Sequence, residues 1–123
     1  MGTVHRQRPA PDGTWDYASA PAVAYTAGAT RRVLVGKAEG ERDFAVRYFT
    51  IPAGGASRLE SHAHPHGVVV THGGGRVLLG ESWHDLGVGD AVYVEPHERH
   101  QFVAGPSAPL GFVCVIPNLE RHP

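Results

Sequence analysis

The chain has 123 residues, with 11 basic and 12 acidic side chains, so its formal net charge is −1 when histidine is neutral. This length fits one domain, and the near-zero charge, without any basic run longer than Arg31-Arg32, argues against nucleic acid or an anionic membrane as a partner. The single cysteine, Cys114, cannot form an internal disulfide, and the N-terminus lacks the apolar stretch of a secretory signal, so we expect a cytoplasmic protein.

The first 22 residues are predicted to form an extended N-terminal arm. This segment is rich in proline, at positions 9, 11 and 21, and has no sustained hydrophobic periodicity. Such a composition favours an extended or loop conformation over a packed element.

Residues 23–118 have the pattern of an all-β domain. Short runs rich in Val, Tyr, Phe and Ile alternate with Gly, Pro and Asp turns, and no window has a capped helical repeat. The runs are RRVLVG (31–36), DFAVRYFTI (43–51), VVVT (68–71), RVLLG (76–80), AVYVE (91–95) and LGFVCVI (110–116). Many short strands in one small domain predict a sandwich or barrel with little helix, of which the jelly roll is one form. Residues 119–123 are predicted to be a short C-terminal tail.

A cluster of possible metal ligands follows the second of these runs. Glu60, His62, His64 and His66 occupy every second position, and alternate residues of an extended strand face the same side. A further histidine, His100, begins the segment HQFVA after the turn at Glu95-Pro96. Imidazole and carboxylate groups that converge from rigid elements are suitable ligands for a divalent transition metal.

The spacing of this cluster resembles the first motif of the cupin superfamily. That motif has a glycine, five residues, H-x-H, three or four residues, a glutamate, six residues and a glycine. Read without a gap, this chain has Gly54, then Glu60 and His62, then His66 and finally Gly73 at the matching positions. The first family histidine is therefore Glu60 here, and the family glutamate is His66.

The second cupin motif is matched more weakly. It has a glycine, five residues, P-x-G, two residues and a histidine, and only Gly89 and His100 keep their identity over Glu95-Pro96-His97. The resemblance extends over residues 30 to 117 and includes the last strand, FVCVIP (112–117), which is similar to the FLCxIP strand of small one-domain cupins.

The resemblance implies a cupin-type jelly-roll β-barrel that holds one divalent transition metal, which could be Fe, Mn, Zn, Ni or Cu. In the gapless register the ligands are Glu60, His62, His66 and His100. A rival register takes His62-Ala63-His64 as the family H-x-H and gives a three-histidine site of His62, His64 and His100. In the gapless register, His64 lines the pocket instead.

Some of the other side chains are expected to line the pocket, and the remaining histidines are expected to lie at the surface. Arg47, Arg58, Tyr93 and Phe102 are candidates to line it, and the resemblance would let Cys114 face the cavity near the metal. The remaining histidines of the domain, which are expected to be surface residues and not ligands, are His72, His84 and His97.

The resemblance implies a metal-dependent cupin enzyme that acts on a small organic molecule. The likeness to cupin dioxygenases favours an oxygenase that binds substrate and O2 at one metal. The alternatives are a metal-assisted isomerase and a non-catalytic module that binds a metal or a small ligand. Because small cupins pair by exchanging N-terminal strands, we also expect a homodimer.

Overall fold

The computed structural model describes residues 1–120 and confirms the all-β prediction. The largest sheet has six antiparallel strands, in the spatial order β3 (Val23–Thr26), β4 (Ala29–Val35), β5 (Phe44–Ile51), β11 (Leu110–Pro117), β6 (His66–His72) and β9 (Ala91–Val94). Helical structure in this part of the chain is limited to a 3-10 turn at Lys37–Glu39, and none of it is long and apolar enough to cross a membrane.

A second, three-stranded sheet packs against the first to form the jelly-roll barrel. Its order is β10 (His100–Ala104), β7 (Gly75–Leu79) and β8 (Ser82–Leu86). Strand alternation places one face of each sheet in the interior, so that Val68 and Val70 are buried while Val69 between them is 46% exposed. The largest apolar side chains of the core are Phe49, Ile51, Phe102, Leu110, Phe112 and Ile116.

The turn that joins the two sheets between β6 and β7 requires glycine. A Cβ atom at Gly73 would lie 2.0 Å from the carbonyl oxygen of Pro109, and one at Gly75 would lie 1.9 Å from that of Val103. Both residues also have positive φ, 69° and 157°. The close backbone approach at this turn fixes how β6 and β7, and hence the two sheets, meet.

The outer face of the larger sheet carries exposed apolar side chains. Val69, Tyr93 and Val115 project from neighbouring strands and are 46%, 60% and 41% exposed. The prediction that Tyr93 lines the pocket is therefore wrong. Its neighbours Val92 and Val94 occupy the inward positions of β9, and strand alternation turns residue 93 outward.

The N-terminal segment is more structured than the predicted extended arm. It forms a hairpin of β1 (Gln7–Pro9) and β2 (Trp15–Tyr17), and Tyr17 packs with Tyr48 of the larger sheet. The guanidinium of Arg32 donates hydrogen bonds to the carbonyl oxygens of Tyr17 and Ala20, at 3.0 and 2.8 Å. The aromatic residues of β2 thus anchor the segment to its own chain. In the predicted tail, residues 121–123, including His122, lie outside the described part of the chain.

Candidate metal centre

Three histidines meet inside the barrel although they come from three separate places in the fold. His66 is the first residue of β6 in the larger sheet, His100 is the first residue of β10 in the smaller sheet, and His62 lies in the loop before β6. One ring nitrogen from each lies within 4.8 Å of the others. The fold thus brings donor atoms from the two predicted motifs to one point.

Glu60, His62, His64 and His66, which alternate in the sequence, do not share the face of one strand. Residues 61–65 are not in a strand, and only His66 of the alternating set belongs to one. The preceding segment instead follows β10 through single bridges, in which Glu60 and His100 exchange two backbone hydrogen bonds of 3.0 and 2.8 Å. Pro65, which has no N–H to donate, ends this loop just before β6.

His66 has a nitrogen atom that is well suited to a cation. The residue is 8% exposed, and its Nε2 is buried without a hydrogen-bond partner in the described chain. Burial, followed by the nearby His100, lowers the pKa of His66 to about 3. Its imidazole is therefore neutral at physiological pH, as a metal ligand must be, and the unpartnered Nε2 fits a bound cation.

His100 is held in the tautomer that a ligand needs. Its Nδ1 lies 2.9 Å from the carbonyl oxygen of Glu98, which can only accept a hydrogen bond, so the proton is on Nδ1. The lone pair is then on Nε2. An outer hydrogen bond of this kind orients a ligating imidazole and fixes its tautomer.

Glu60 lies beside the triad and contacts one member of it. One carboxylate oxygen is 2.6 Å from Nε2 of His62, and the other accepts a short hydrogen bond from the hydroxyl of Tyr25. Burial and this carboxylate raise the pKa of Tyr25 to about 12, so the phenol keeps its proton. Glu60 is thus placed either to join the ligands or to orient His62, and its role as a ligand stays a prediction.

His64 also belongs to the histidine cluster. Its ring stacks on that of His62 with centroids 4.8 Å apart and an interplanar angle of 8°, and it lies 4.8 Å from the ring of His66. Burial, followed by the nearby His62, lowers the pKa of His64. Glu60 and His64 both line the cavity beside the triad, and which of them completes the ligand set stays a prediction.

A cavity of about 240 Å³ opens over the triad. Of the residues predicted to line it, Arg47, Arg58, Phe102 and Cys114 do so. Sequence reasoning missed Tyr25, Arg31 and Phe49. The inward position of Phe49, two residues after Arg47 on the same strand, was a usable signal, whereas the approach of Tyr25 to Glu60 depends on the tertiary fold.

The side chains of His72, His84 and His97 do not line the cavity, although the backbone N–H of His97 donates to the carbonyl oxygen of His62 at 2.5 Å. His84 and His97 are exposed, as expected of surface residues. His72 is half-buried, because its Nδ1 lies 3.1 Å from the hydroxyl of Tyr48 and its ring meets that of Trp15 in the N-terminal hairpin.

Comparison with known proteins places these features in a family. The family model described as "Cupin domain" matches residues 47–116. This range includes the histidine triad, both motif segments and most of the last strand.

Three relatives illustrate the similarity. The chain is 38% identical to the 1-methylthio-D-xylulose 5-phosphate methylsulfurylase of Rhodospirillum rubrum over 76 residues. These residues make up 62% of this chain and 48% of that protein. The chain thus spans about half the length of this curated relative. The crystal structure of a cupin-2 domain protein of Rhodospirillum rubrum has a TM-score of 0.80 and 29% identity, over 89% of this chain and 76% of that one. A cupin 2 conserved barrel domain protein of Rhodopseudomonas palustris has a TM-score of 0.75 and 33% identity, over 91% and 79%.

Proposed function

This chain belongs to the cupin domain family, and from that premise we propose that it is a metal-dependent enzyme that converts a small organic molecule. The proposed ligands are His62, His66 and His100, with Glu60 as the fourth. The observation that carries the proposal is the buried Nε2 of His66, which has no hydrogen-bond partner, in a histidine triad whose ring nitrogens, one from each residue, lie within 4.8 Å of one another. An unsatisfied buried nitrogen is unfavourable unless something binds it.

The cavity above the triad supports chemistry on a small substrate. A divalent transition metal held there would supply Lewis acidity to substrate oxygens and, if it is Fe or Mn, the redox capacity that a reaction with O2 needs. Phe102 and Phe112 stack with centroids 4.6 Å apart and form an apolar wall that limits access of water. The hydrogen bond from His100 to Glu98 keeps the proton on Nδ1 and so fixes the direction of the Nε2 lone pair.

Within this proposal, the reaction is an oxygenation, with substrate and O2 at one metal. Support comes from the small size of the cavity and from the imidazole donors, a ligand type that suits Fe(II). A second candidate is a metal-assisted rearrangement without O2, such as an isomerisation. This alternative is favoured by the Rhodospirillum rubrum relative, which is named as a methylsulfurylase and not as an oxygenase.

Elemental analysis of freshly purified protein, followed by oxygen-electrode measurements, tests the proposal. We expect close to one transition-metal ion per chain and substrate-dependent O2 uptake that stops when a chelator removes the metal. Turnover under nitrogen would select the redox-neutral alternative. A protein without bound metal that also takes up none on addition of Fe(II), Mn(II) or Zn(II) would refute the metal-dependent function.

The homodimer stays a proposal. It is supported by the apolar side chains of Val69, Tyr93 and Val115 on the outer sheet face, since a second copy would remove them from water. Light scattering of the wild type and of Val115→Lys tests it. A wild type that is monomeric at micromolar concentration would refute it.

A further inference from the structure

Arg47 is a half-buried cation that forms no ion pair within residues 1–120. It lies on β5, and its Nε is buried without a hydrogen-bond partner. Its Nη2 donates to Sγ of Cys114 at 3.4 Å, and its guanidinium carbon lies 4.9 Å from the centre of the Phe49 ring. Among residues 1–120 no carboxylate forms an ion pair with it. A guanidinium that is partly buried and unpaired is unfavourable, and an anion bound from outside the chain would relieve this cost.

The cavity around Arg47 has an excess of positive charge. Arg31, Arg47 and Arg58 all line it, whereas Glu60 is the one carboxylate on its wall among the described residues. Both oxygens of that carboxylate are already engaged, by His62 and by Tyr25. Three guanidinium groups against one carboxylate leave a formal excess of two positive charges, although the whole chain has a net charge of −1. The positive charge is therefore a property of the cavity.

Arg47 lies close to the histidine triad, so a ligand that contacts both can be small. Sγ of Cys114 lies between the two, 3.4 Å from Nη2 of Arg47 and 3.5 Å from Nδ1 of His66. A ligand whose anionic group is bound by Arg47 therefore needs only a few bonds to bring its other end to the triad. The cavity, at about 240 Å³, is smaller than the range of roughly 300 to 1,000 Å³ that is typical of pockets for drug-sized ligands.

We propose that the substrate is a small organic anion whose carboxylate or phosphate group is bound by Arg47 while its reacting end faces His62, His66 and His100. A guanidinium presents parallel N–H donors that match both kinds of oxyanion. Arg47 is then a substrate-positioning residue. This inference rests on the proposed function, because it places the anion relative to the site at which that function locates the reaction.

The test measures binding of inorganic phosphate and of malonate by isothermal titration calorimetry at low ionic strength. Wild type is compared with Arg47→Met and with the matched control Arg76→Met. Arg76 is an exposed arginine on β7 whose guanidinium lies 4.4 Å from the centre of the Trp83 ring, outside the cavity. We expect at least one of the two anions to bind wild type and the control equally, and Arg47→Met to bind it roughly 10- to 100-fold more weakly.

Arg47→Lys provides a second variant if Arg47→Met does not fold. It keeps the charge but not the two-pronged donor geometry, so its affinity should lie between those of wild type and Arg47→Met. Binding of both anions that is unaffected by either substitution, or no binding of either anion to wild type, would overturn the inference.

Metal analysis of the same samples separates this inference from the proposed function. Metal retained in wild type and Arg47→Met, without any effect of Arg47 on anion binding, would overturn the inference alone. Anion binding that depends on Arg47 in a protein that takes up no metal would support the inference and reject the metal-dependent function.

Discussion

Nε2 of His62 and a carboxylate oxygen of Glu60 lie 2.6 Å apart, and the backbone of Glu60 is tied to that of His100 by two hydrogen bonds. Through these contacts the loop before β6 is held against β10, so that a donor from the loop reaches donors on both sheets.

Replacing His62 or His100 by Ala should remove most of the bound metal. Each change deletes one of three nitrogen donors that lie within 4.8 Å of one another. The exposed His84 on β8 provides the control, since His84→Ala should leave the metal content at the wild-type level. Elemental analysis of the three purified variants checks the prediction, and equal losses in all of them would contradict the proposed site.

Glu60→Gln should weaken metal binding about 10- to 100-fold, whether the carboxylate is a ligand or orients His62. His64→Ala should leave the affinity nearly unchanged if the gapless register is correct. Competition with a chromogenic chelator measures both affinities. The reverse result, a large loss for His64→Ala and none for Glu60→Gln, would assign the fourth position to His64.

The metal-free protein should lose stability as the pH falls from about 6.5 towards 3. In the unfolded chain His66 gains a proton below about 6.5, whereas the folded protein, in which its pKa is about 3, binds no proton there until much lower pH. Because the unfolded state then binds more protons, acid favours unfolding. Between pH 7 and pH 5, His66 should account for about 2 kcal/mol of the decrease in unfolding free energy.

Urea unfolding of chelator-treated protein at pH 7, 6 and 5 measures this effect. In His66→Gln, which has no titrating group at this position, the decrease should be smaller by that amount. Parallel pH profiles for wild type and variant would show that His66 is not held neutral in the folded state.

His97→Gly should stabilise the protein. His97 occupies the position of the glycine in the second cupin motif, and it adopts a φ of 66°, a left-handed conformation that side chains with a Cβ disfavour. Relief of this strain amounts to about 1 kcal/mol, less the entropy that glycine adds to the unfolded chain. Thermal unfolding should show a midpoint a few degrees higher for His97→Gly and a lower one for His97→Val. A lower midpoint for His97→Gly would indicate that the imidazole makes a stabilising contact.

The motif spacing was sufficient to predict which histidines meet, but not how they do so. His66 and His100 were predicted from their distances to the motif glycines, and these distances reflect where strands begin. The alternation of residues 60–66 did not show that they form a loop, because this loop is shaped by pairing with β10, a contact across 40 residues between Glu60 and His100. Local alternation contains no information about such a partner.

Two other differences between the sequence-based predictions and the structure also arise from contacts between residues that are distant in sequence. Tyr25 reaches Glu60 across 35 residues of sequence, and the N-terminal hairpin is anchored by the packing of Tyr17 on Tyr48. In both cases an aromatic side chain contacts a residue that is distant in sequence, and local composition does not reveal such a contact. Tyr93 was misplaced for a different reason, since a strand with apolar residues on both faces does not reveal which face is inward.

The three histidines come from a loop and two separate sheets, so they can come together only late in the folding of the chain. No contiguous fragment shorter than the span from His62 to His100 contains all three, and they converge only when β6 and β10 have docked across the interior. During synthesis the centre therefore cannot assemble before β10 has left the ribosome and the barrel has closed. Ion uptake would report on the completion of folding.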